Sequence, residues 1–366
     1  MLRRLPKTEL HLHLDGSLPF EFIKSRALAR NIQFTSTTPQ ELRNFIHEMK
    51  TTARSIDPSH AQEKNKNWGV FDWCNQFLQT KEELTSAAAL ICRNVGEQHN
   101  VFRTELRFCP TLHTMEDLTP REAVNAVVEG VQQSGGGGVI ICALRSHDAM
   151  HSMEMAQLTI DLHNDTAGVV CGFDIAGDEG SFPLSLHQEA IKLCKANNVP
   201  VTVHAGEWPG TIDNIRLALE LNVDRIGHGW GMHEYPEVME LCKEKECVVE
   251  ICLTSNVKPG AGKEWIETYE AHPVRKLYDA GIKICLNSDN HLISGSADRP
   301  ADPTNEIKHL IEDCGFSMEE LVIILRCGAE ASFVRDEASK IELLKAFDSE
   351  MEVVLEECEY EDEICQ

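Results

Sequence analysis

Short apolar runs, several rich in β-branched residues, recur along this chain at intervals of roughly 30 residues, with helix-like stretches between them. In order they read "ELHLHLDG", "FRTELRFCP", "GVIICALRS", "VVCGFDIAGDE", "VPVTVHAGE", "DRIGHG", "CVVEICLTSN" and "IKICLNSDN". Between them lie segments such as "PREAVNAVVEGVQQSG", "SLHQEAIKLCKANN", "TIDNIRLALELN" and "EYPEVMELCKEK", with apolar residues at helical spacing. Eight strands alternating with helices predict an α/β fold, the (β/α)8 TIM barrel, because parallel strands need right-handed helical crossovers. Such barrels reach this length as one unit, so residues 1–366 are read as one domain. The first connection is the exception. Residues 18–101 form a long helical insertion that includes the polar loop "TTARSIDPSHAQEKNKNWG", and an insertion at the top of a barrel builds a lid or substrate wall. The C-terminal "DSEMEVVLEECEYEDEICQ" starts helix-like and ends as an acidic, frayed tail.

Composition narrows the function classes. The formal charge of −25 repels phosphate backbones and anionic membrane surfaces at long range, so no nucleic acid and no membrane partner is expected. No apolar run approaches the length of a bilayer span. The N-terminal "MLRRLPKTEL" has basic residues but no apolar stretch after them, so no secretory signal is read and a cytoplasmic location is expected. The 14 cysteines are spread through the chain and mostly lie inside apolar runs, as buried thiols rather than a disulfide framework.

The chemistry lies in the polar residues of the strands. Side chains at i and i+2 of a strand share a face, so Leu10, Leu12 and Leu14 point to one side of the first run and His11 and His13 to the other. In a barrel the leucines pack outward under the helices and both imidazoles face the lumen, at the C-terminal end where active sites of this fold are built. The same end of the other strands carries His204 and Glu207, His228, Asp289, and Asp174, Asp178 and Glu179. One such histidine would be an ordinary core residue. Several at one end point to a metal, and imidazoles with a carboxylate suit zinc with one position open for water. Strand four has no lysine to bridge a metal pair, so one Zn2+ per chain is expected.

Taken together, "ELHLHLDGS", "DIAGDE", "TVHAGE", "RIGHG", "CLTSNV" and "LNSD" resemble, in order, the motifs of the adenosine deaminase family of zinc aminohydrolases. The resemblance spans nearly the whole chain. It implies that His11, His13, His204 and Asp289 bind zinc, that Glu207 protonates purine N1, and that His228 stands beside the attacking hydroxide. Asp289 with His228 would orient that hydroxide and take up its charge and proton. Gly177 would offer its backbone N–H to purine N3, Asp15 would face the ribose 5′-hydroxyl, and His13 and Asn290 would complete the substrate-binding set. The implied reaction is hydrolytic deamination of adenosine or 2′-deoxyadenosine to inosine or 2′-deoxyinosine and ammonia, a step of purine salvage. For Glu207 to act as an acid its pKa would be raised by burial. The other zinc deaminase design, which pairs H-x-E with P-C-x-x-C, is absent, since no P-C-x-x-C occurs.

One position departs from the family pattern. A second aspartate usually follows the zinc-binding one and contacts purine N7; here Asn290 stands there. An asparagine amide can still donate to N7. The departure leaves three readings: an adenosine deaminase with altered rate, an aminohydrolase for another 6-substituted purine such as adenine or an N6-methylated nucleoside or nucleotide, or a weakly active nucleoside-binding relative. Asp15 favours a free 5′-hydroxyl, because a phosphate beside a carboxylate is repelled. The partners expected are therefore a small purine nucleoside and water, and oligomeric state is not readable from the chain.

Overall fold

The computed structural model describes residues 1–54 and 69–364, so most of the polar loop at 51–69 lies outside the described residues. Eight strands follow one another around a single parallel sheet: β1 (Lys7–His13), β2 (Val101–Phe108), β3 (Gly138–Leu144), β4 (Val170–Ala176), β5 (Val201–Ala205), β6 (Arg225–His228), β7 (Val248–Ile251) and β8 (Ile284–Leu286). Each strand matches one of the apolar runs. Among the described residues, four helices lie in the first connection: α1 (Phe20–Ala29), α2 (Pro39–Arg54), α3 (Gly69–Asn75) and α4 (Lys81–His99). The later connections carry α5 (Pro120–Gln133), α6 (Ala149–Asp165), α7 (Gln188–Ala196), α8 (Ile212–Glu220), α9 (Pro236–Glu244), α10 (Leu253–Asn256) and α11 (Val274–Asp279). After β8 come α12 (Pro303–Glu312), α13 (Met318–Ala331) and α14 (Glu337–Ile364). The acidic C-terminal segment belongs to α14, which buries Phe347, Met351 and Val354 and is helical to Ile364.

Local sequence explains where several helices begin. Thr80, Thr119 and Ser317 each accept a hydrogen bond from the backbone of a glutamate three residues on, whose carboxylate returns to the cap, so α4, α5 and α13 start on complete capping boxes. Helix α5 lies close against α4 because Gly130 has no side chain there: a Cβ would overlap the Thr85 carbonyl oxygen and sit 2.8 Å from the Ala88 methyl. Among the described residues no helix is long and apolar enough to cross a membrane.

The alternation of β1 runs as its pattern requires. Leu10 packs with Val248 and Cys285 against Cys327 and Ala331, outside the sheet, while Leu12 and Leu14 join the main core. The opposite face of the strands holds ions. Arg107 donates to Asp174 Oδ2 at 3.0 Å and to Glu250 Oε2 at 2.9 Å; Arg225 donates to Glu250 Oε1 at 2.6 Å and to Glu105 Oε2 at 2.7 Å. None of these side chains is more than 1% exposed. The lumen therefore holds a layer of paired charges in place of the usual branched aliphatic side chains.

The seam closes through the residues after β8. Asp289 N–H donates to the His11 carbonyl and His13 N–H to the Asp289 carbonyl, both at 2.9 Å, forming a parallel bridge that brings β1 beside the end of β8. Below it, Asn287 Oδ1 accepts from Leu10 N–H at 2.8 Å.

Glu250 serves two buried arginines, so its loss would strand uncompensated charge. Glu250→Ala is expected to cost about 3–5 kcal/mol of unfolding free energy, read by urea denaturation. A change within experimental error would mean that the ionic layer is not what holds the lumen together.

Candidate active site

Above the ionic layer the strand ends converge on four nitrogen and oxygen atoms. His13 Nε2 lies 3.1 Å from His204 Nε2, and Asp289 Oδ1 lies 3.5 Å from His11 Nε2 and 3.4 Å from His13 Nε2. Ligand atoms about 2.1 Å from a tetrahedral zinc sit about 3.4 Å apart, and these three spacings match that distance. The ring hydrogens agree. His11 Nδ1 faces Glu250 Oε2 at 2.7 Å and His204 Nδ1 faces Asp174 at 3.1–3.2 Å. Both carboxyls are ionised despite their burial: Arg107 and Arg225 hold Glu250 well below its ordinary value, and His204 and Arg107 do the same for Asp174. As carboxylates they can only accept, so both Nδ1 atoms donate, and in the neutral form of each ring the lone pair is the one on Nε2. His11 Nε2 is buried with no hydrogen-bond partner. Lone pairs facing one another in this way fit a cation, and the carboxylates behind them are the outer partners that metal-binding histidines have.

Two of the converging residues hold strained backbone. His228 and Asp289 have φ of 66° and 64°, a left-handed conformation that side-chain-bearing residues rarely adopt. The strain turns both side chains at the strand ends into one cavity, and Ser255 Oγ holds the second Asp289 oxygen at 2.5 Å. His228 Nε2 lies 3.8 Å from Glu207 Oε2. Its ligand atom also falls within 4.8 Å of those of His11 and His204, so it touches the space the other four surround.

The cavity, about 1010 Å3, lies at the upper end of the range for small-molecule sites, about 300–1,000 Å3. His13, Asp15, Gly177, His204, Glu207, His228, Asp289 and Asn290 all line it, so the residues singled out from the sequence come together, with His11 buried directly beneath. Gly177 holds φ of 104°, which requires glycine. Asp15 is buried, and burial pushes its carboxyl up to about 6 in spite of hydrogen bonds from the Asp15 and Gly16 backbone and the Asn75 side chain. Gly16 is small because Asn290 packs on it: a Cβ there would overlap the carboxamide, whose Oδ1 is buried without a partner.

Of the three acids at the end of β4, only Asp178 faces the cavity. Asp174 supports His204 from below. Glu179 accepts from the backbone N–H groups of Gly206, Glu207 and Trp208 at 2.8, 2.9 and 3.2 Å, which fixes the loop that carries Glu207.

Glu207 departs from the expectation of a raised pKa. Burial pushes it up, but His228 and Lys258 outweigh that, and the carboxyl is held below its ordinary value. Lys258 Nζ is 3.5 Å from Glu207 Oε1 and sits over the Trp265 ring at 4.4 Å. Sequence reading did not find Lys258, Trp208 or Trp265, which all line the cavity; the only signal was their place just beyond β5 and β7. Burial pushes His228 down to about 4, so its ring is neutral near pH 7.

The family whose model matches, described as adenosine deaminase, covers residues 6–349. Among relatives, an adenosine deaminase of Clostridium acetobutylicum is 31% identical over 350 residues, 94% of this chain and 97% of its own length. Among solved structures, an amidohydrolase of Burkholderia ambifaria with bound zinc superposes with a TM-score of 0.80 at 21% identity, covering 97% of this chain and 93% of its own. An Arabidopsis N6-mAMP deaminase gives a TM-score of 0.75 at 23% identity, covering 95% and 99%. The two structural likenesses speak for the fold, while the family match and the full-length relative speak for descent: the chain belongs to the adenosine deaminase family.

Proposed function

We propose that this protein is a zinc-dependent aminohydrolase that converts adenosine or 2′-deoxyadenosine and water into inosine or 2′-deoxyinosine and ammonia, in purine salvage. The observation that carries this reading is the close approach of His13 to His204 and of Asp289 to His11 and His13, at the distances expected between ligands of one zinc, in a nucleoside-sized cavity whose walls hold Glu207 and His228. One zinc ion held by those four residues would bring the pKa of water down to about 7 and make hydroxide available. The free state of the cysteines among the described residues accords with a cytoplasmic setting.

The chain's own residues then have distinct tasks. As oxygen adds to C6 the ring loses aromaticity, and Glu207 gives N1 a proton. His228 lies beside the incoming oxygen and stabilises its charge, while Asp289 orients it and takes up its proton. The proton taken from the oxygen passes to the amine, the C6–N6 bond breaks and ammonia leaves, and the product keeps its N1 proton. Gly177 N–H faces N3 and the Asn290 amide N7, while His13 lies at the floor beneath the reacting carbon. Asp15, held by Asn75 of α3, receives the ribose 5′-hydroxyl. His47, Lys50, Phe71, Asp72 and Asn75 also line the cavity, which supports reading the insertion at 18–101 as its lid within a single barrel domain, residues 1–366.

Glu207 begins as a carboxylate beside Lys258 and must gain its proton before the addition. A purine that sets its N1 against the carboxyl and excludes water favours the protonated form.

A second reading concerns the 5′ end. The Arabidopsis neighbour acts on a nucleotide. Against a nucleotide here stands the buried Asp15 carboxyl, which would face the phosphate. Purified, zinc-quantified protein is therefore expected to deaminate adenosine and 2′-deoxyadenosine faster than adenine, 5′-AMP or N6-methylated analogues, followed by ultraviolet absorbance with ammonia release as the check. Preference for 5′-AMP would overturn the role of Asp15.

Glu207→Gln is expected to retain one zinc per chain and lose about 10²–10⁴ in kcat, the usual contribution of general acid–base catalysis. Lys258→Met removes a positive charge from beside Glu207 and so raises the pKa of that carboxyl. The proton-bearing form then persists to higher pH, and the alkaline limb of kcat/KM is expected to move upward. An unmoved limb would assign it to another group.

A further inference from the structure

The side of His228 that faces away from the cavity enters a chain of hydrogen bonds that the reaction above does not use. It starts at a donor whose polarity is fixed by covalent structure, the backbone N–H of Val274, which lies 3.1 Å from His272 Nδ1. That nitrogen must accept. His272 is buried, and burial together with His233 and His228 pushes its pKa down to about 3, so the neutral ring has one proton and only Nε2 is left to hold it. Nε2 lies 3.3 Å from Asn256 Oδ1. An asparagine carboxamide alone could face either way, but here the N–H of His272 requires its oxygen. The Nδ2 end is therefore the one that meets His228 Nδ1, at 3.0 Å. An amide NH2 only donates, so His228 Nδ1 accepts. Turning the amide over would set N–H against N–H at His272.

We infer that Asn256 and His272 are positioning residues that hold His228 in its Nε2–H tautomer, so that it meets the attacking oxygen in the cavity as a hydrogen-bond donor. Three features of the fold make the chain rigid. Asn256 ends α10, where its N–H bonds the Cys252 carbonyl at 3.0 Å. His272 precedes α11, whose first residue is Val274. His228 holds its left-handed backbone at the end of β6. On the cavity side the nearest carboxylate oxygen, Glu207 Oε2, is 3.8 Å away, too far for a hydrogen bond, so the Nε2 proton stays available to a ligand. A ring already protonated at Nε2 has no lone pair there with which to remove a proton from water. His228 thus stabilises charge on the oxygen, and neither positioning residue needs to touch the substrate.

The tautomer belongs to the protein itself, and its donor role rests on the deaminase reading, so two readouts separate them. Long-range proton–nitrogen spectra of 15N-histidine-labelled protein, with the His228 signals assigned by loss in His228→Asn, are expected to show a protonated Nε2 and an unprotonated Nδ1. Asn256→Asp replaces the donor by an acceptor and is expected to put a proton on Nδ1. The same variant should lose about 10²–10³ in kcat, the usual effect of removing one preorganised donor, with KM little changed and zinc retained. His272→Gln can still accept from Val274 and donate to Asn256, and should keep the spectrum and most of kcat; His272→Leu should lose both. A proton on Nδ1 in the unmodified protein overturns the inference whatever the activity. An Nε2–H spectrum with no purine turned over upholds the tautomer and overturns the deaminase reading instead.

Discussion

The carboxylate of Glu250 is the point on which the rest of the site depends. It stands in the lumen of the barrel with no access to water, where an unpaired charge would cost several kcal/mol. Arg107, Arg225, the Thr202 hydroxyl and His11 Nδ1 satisfy it together. The same contacts run upward and downward through the fold. Upward, the hydrogen bond from His11 Nδ1 to Glu250 turns His11 Nε2 towards the floor of the cavity. Downward, Arg225 reaches Glu105, whose other oxygen accepts from Phe333 N–H at 2.5 Å and ties the segment after α13 across the bottom of the barrel. In the proposed zinc site, metal affinity and barrel stability would thereby be set by one layer of charge, because a ligand's basicity follows from what its second nitrogen bonds.

The barrel also closes where the site is built. Asp289 exchanges backbone hydrogen bonds with β1 while its side chain faces His11 and His13, so forming the seam and presenting the carboxylate are the same event. The left-handed backbone at His228 and Asp289 is the cost of turning strand ends inward at that point, and such strain collects at functional sites when the surroundings over-determine it. Glu179 does the equivalent for the Glu207 loop with backbone hydrogen bonds, which leaves Glu207 itself free to face the ligand.

Much of this was legible in the chain because a strand has a period of two. The rule that set His11 and His13 against Leu10 and Leu12 applies equally to Glu105 and Arg107 in "FRTELRFCP", to Glu250 in "CVVEICLTSN" and to Arg225 in "DRIGHG". Each is a charge inside an apolar run, and each faces the lumen. They escaped notice because a charge in a strand is usually solvated. Lys258, Trp208 and Trp265 had no such signal, since loop residues follow no period and their approach to the cavity is set by how long segments fold back. The lowered pKa of Glu207 escaped for the same reason: burial alone argued for a rise, and the opposing charge of Lys258 comes from a different loop.

The sequence by itself determined the eight βα units, the face of each strand, the residues at the strand ends and, through its ordered motifs, the family. These follow from local periodicity and from residue type, which need no knowledge of distant contacts. Tertiary structure alone decided how closely His11, His13, His204 and Asp289 approach one another, the hydrogen-bond partner of each imidazole and the charge of Glu207. Those are properties of pairs far apart in the chain, such as His11 with Glu250, Asn256 with His272 and Glu207 with Lys258, and only closure of the barrel brings the members of such pairs within reach of one another.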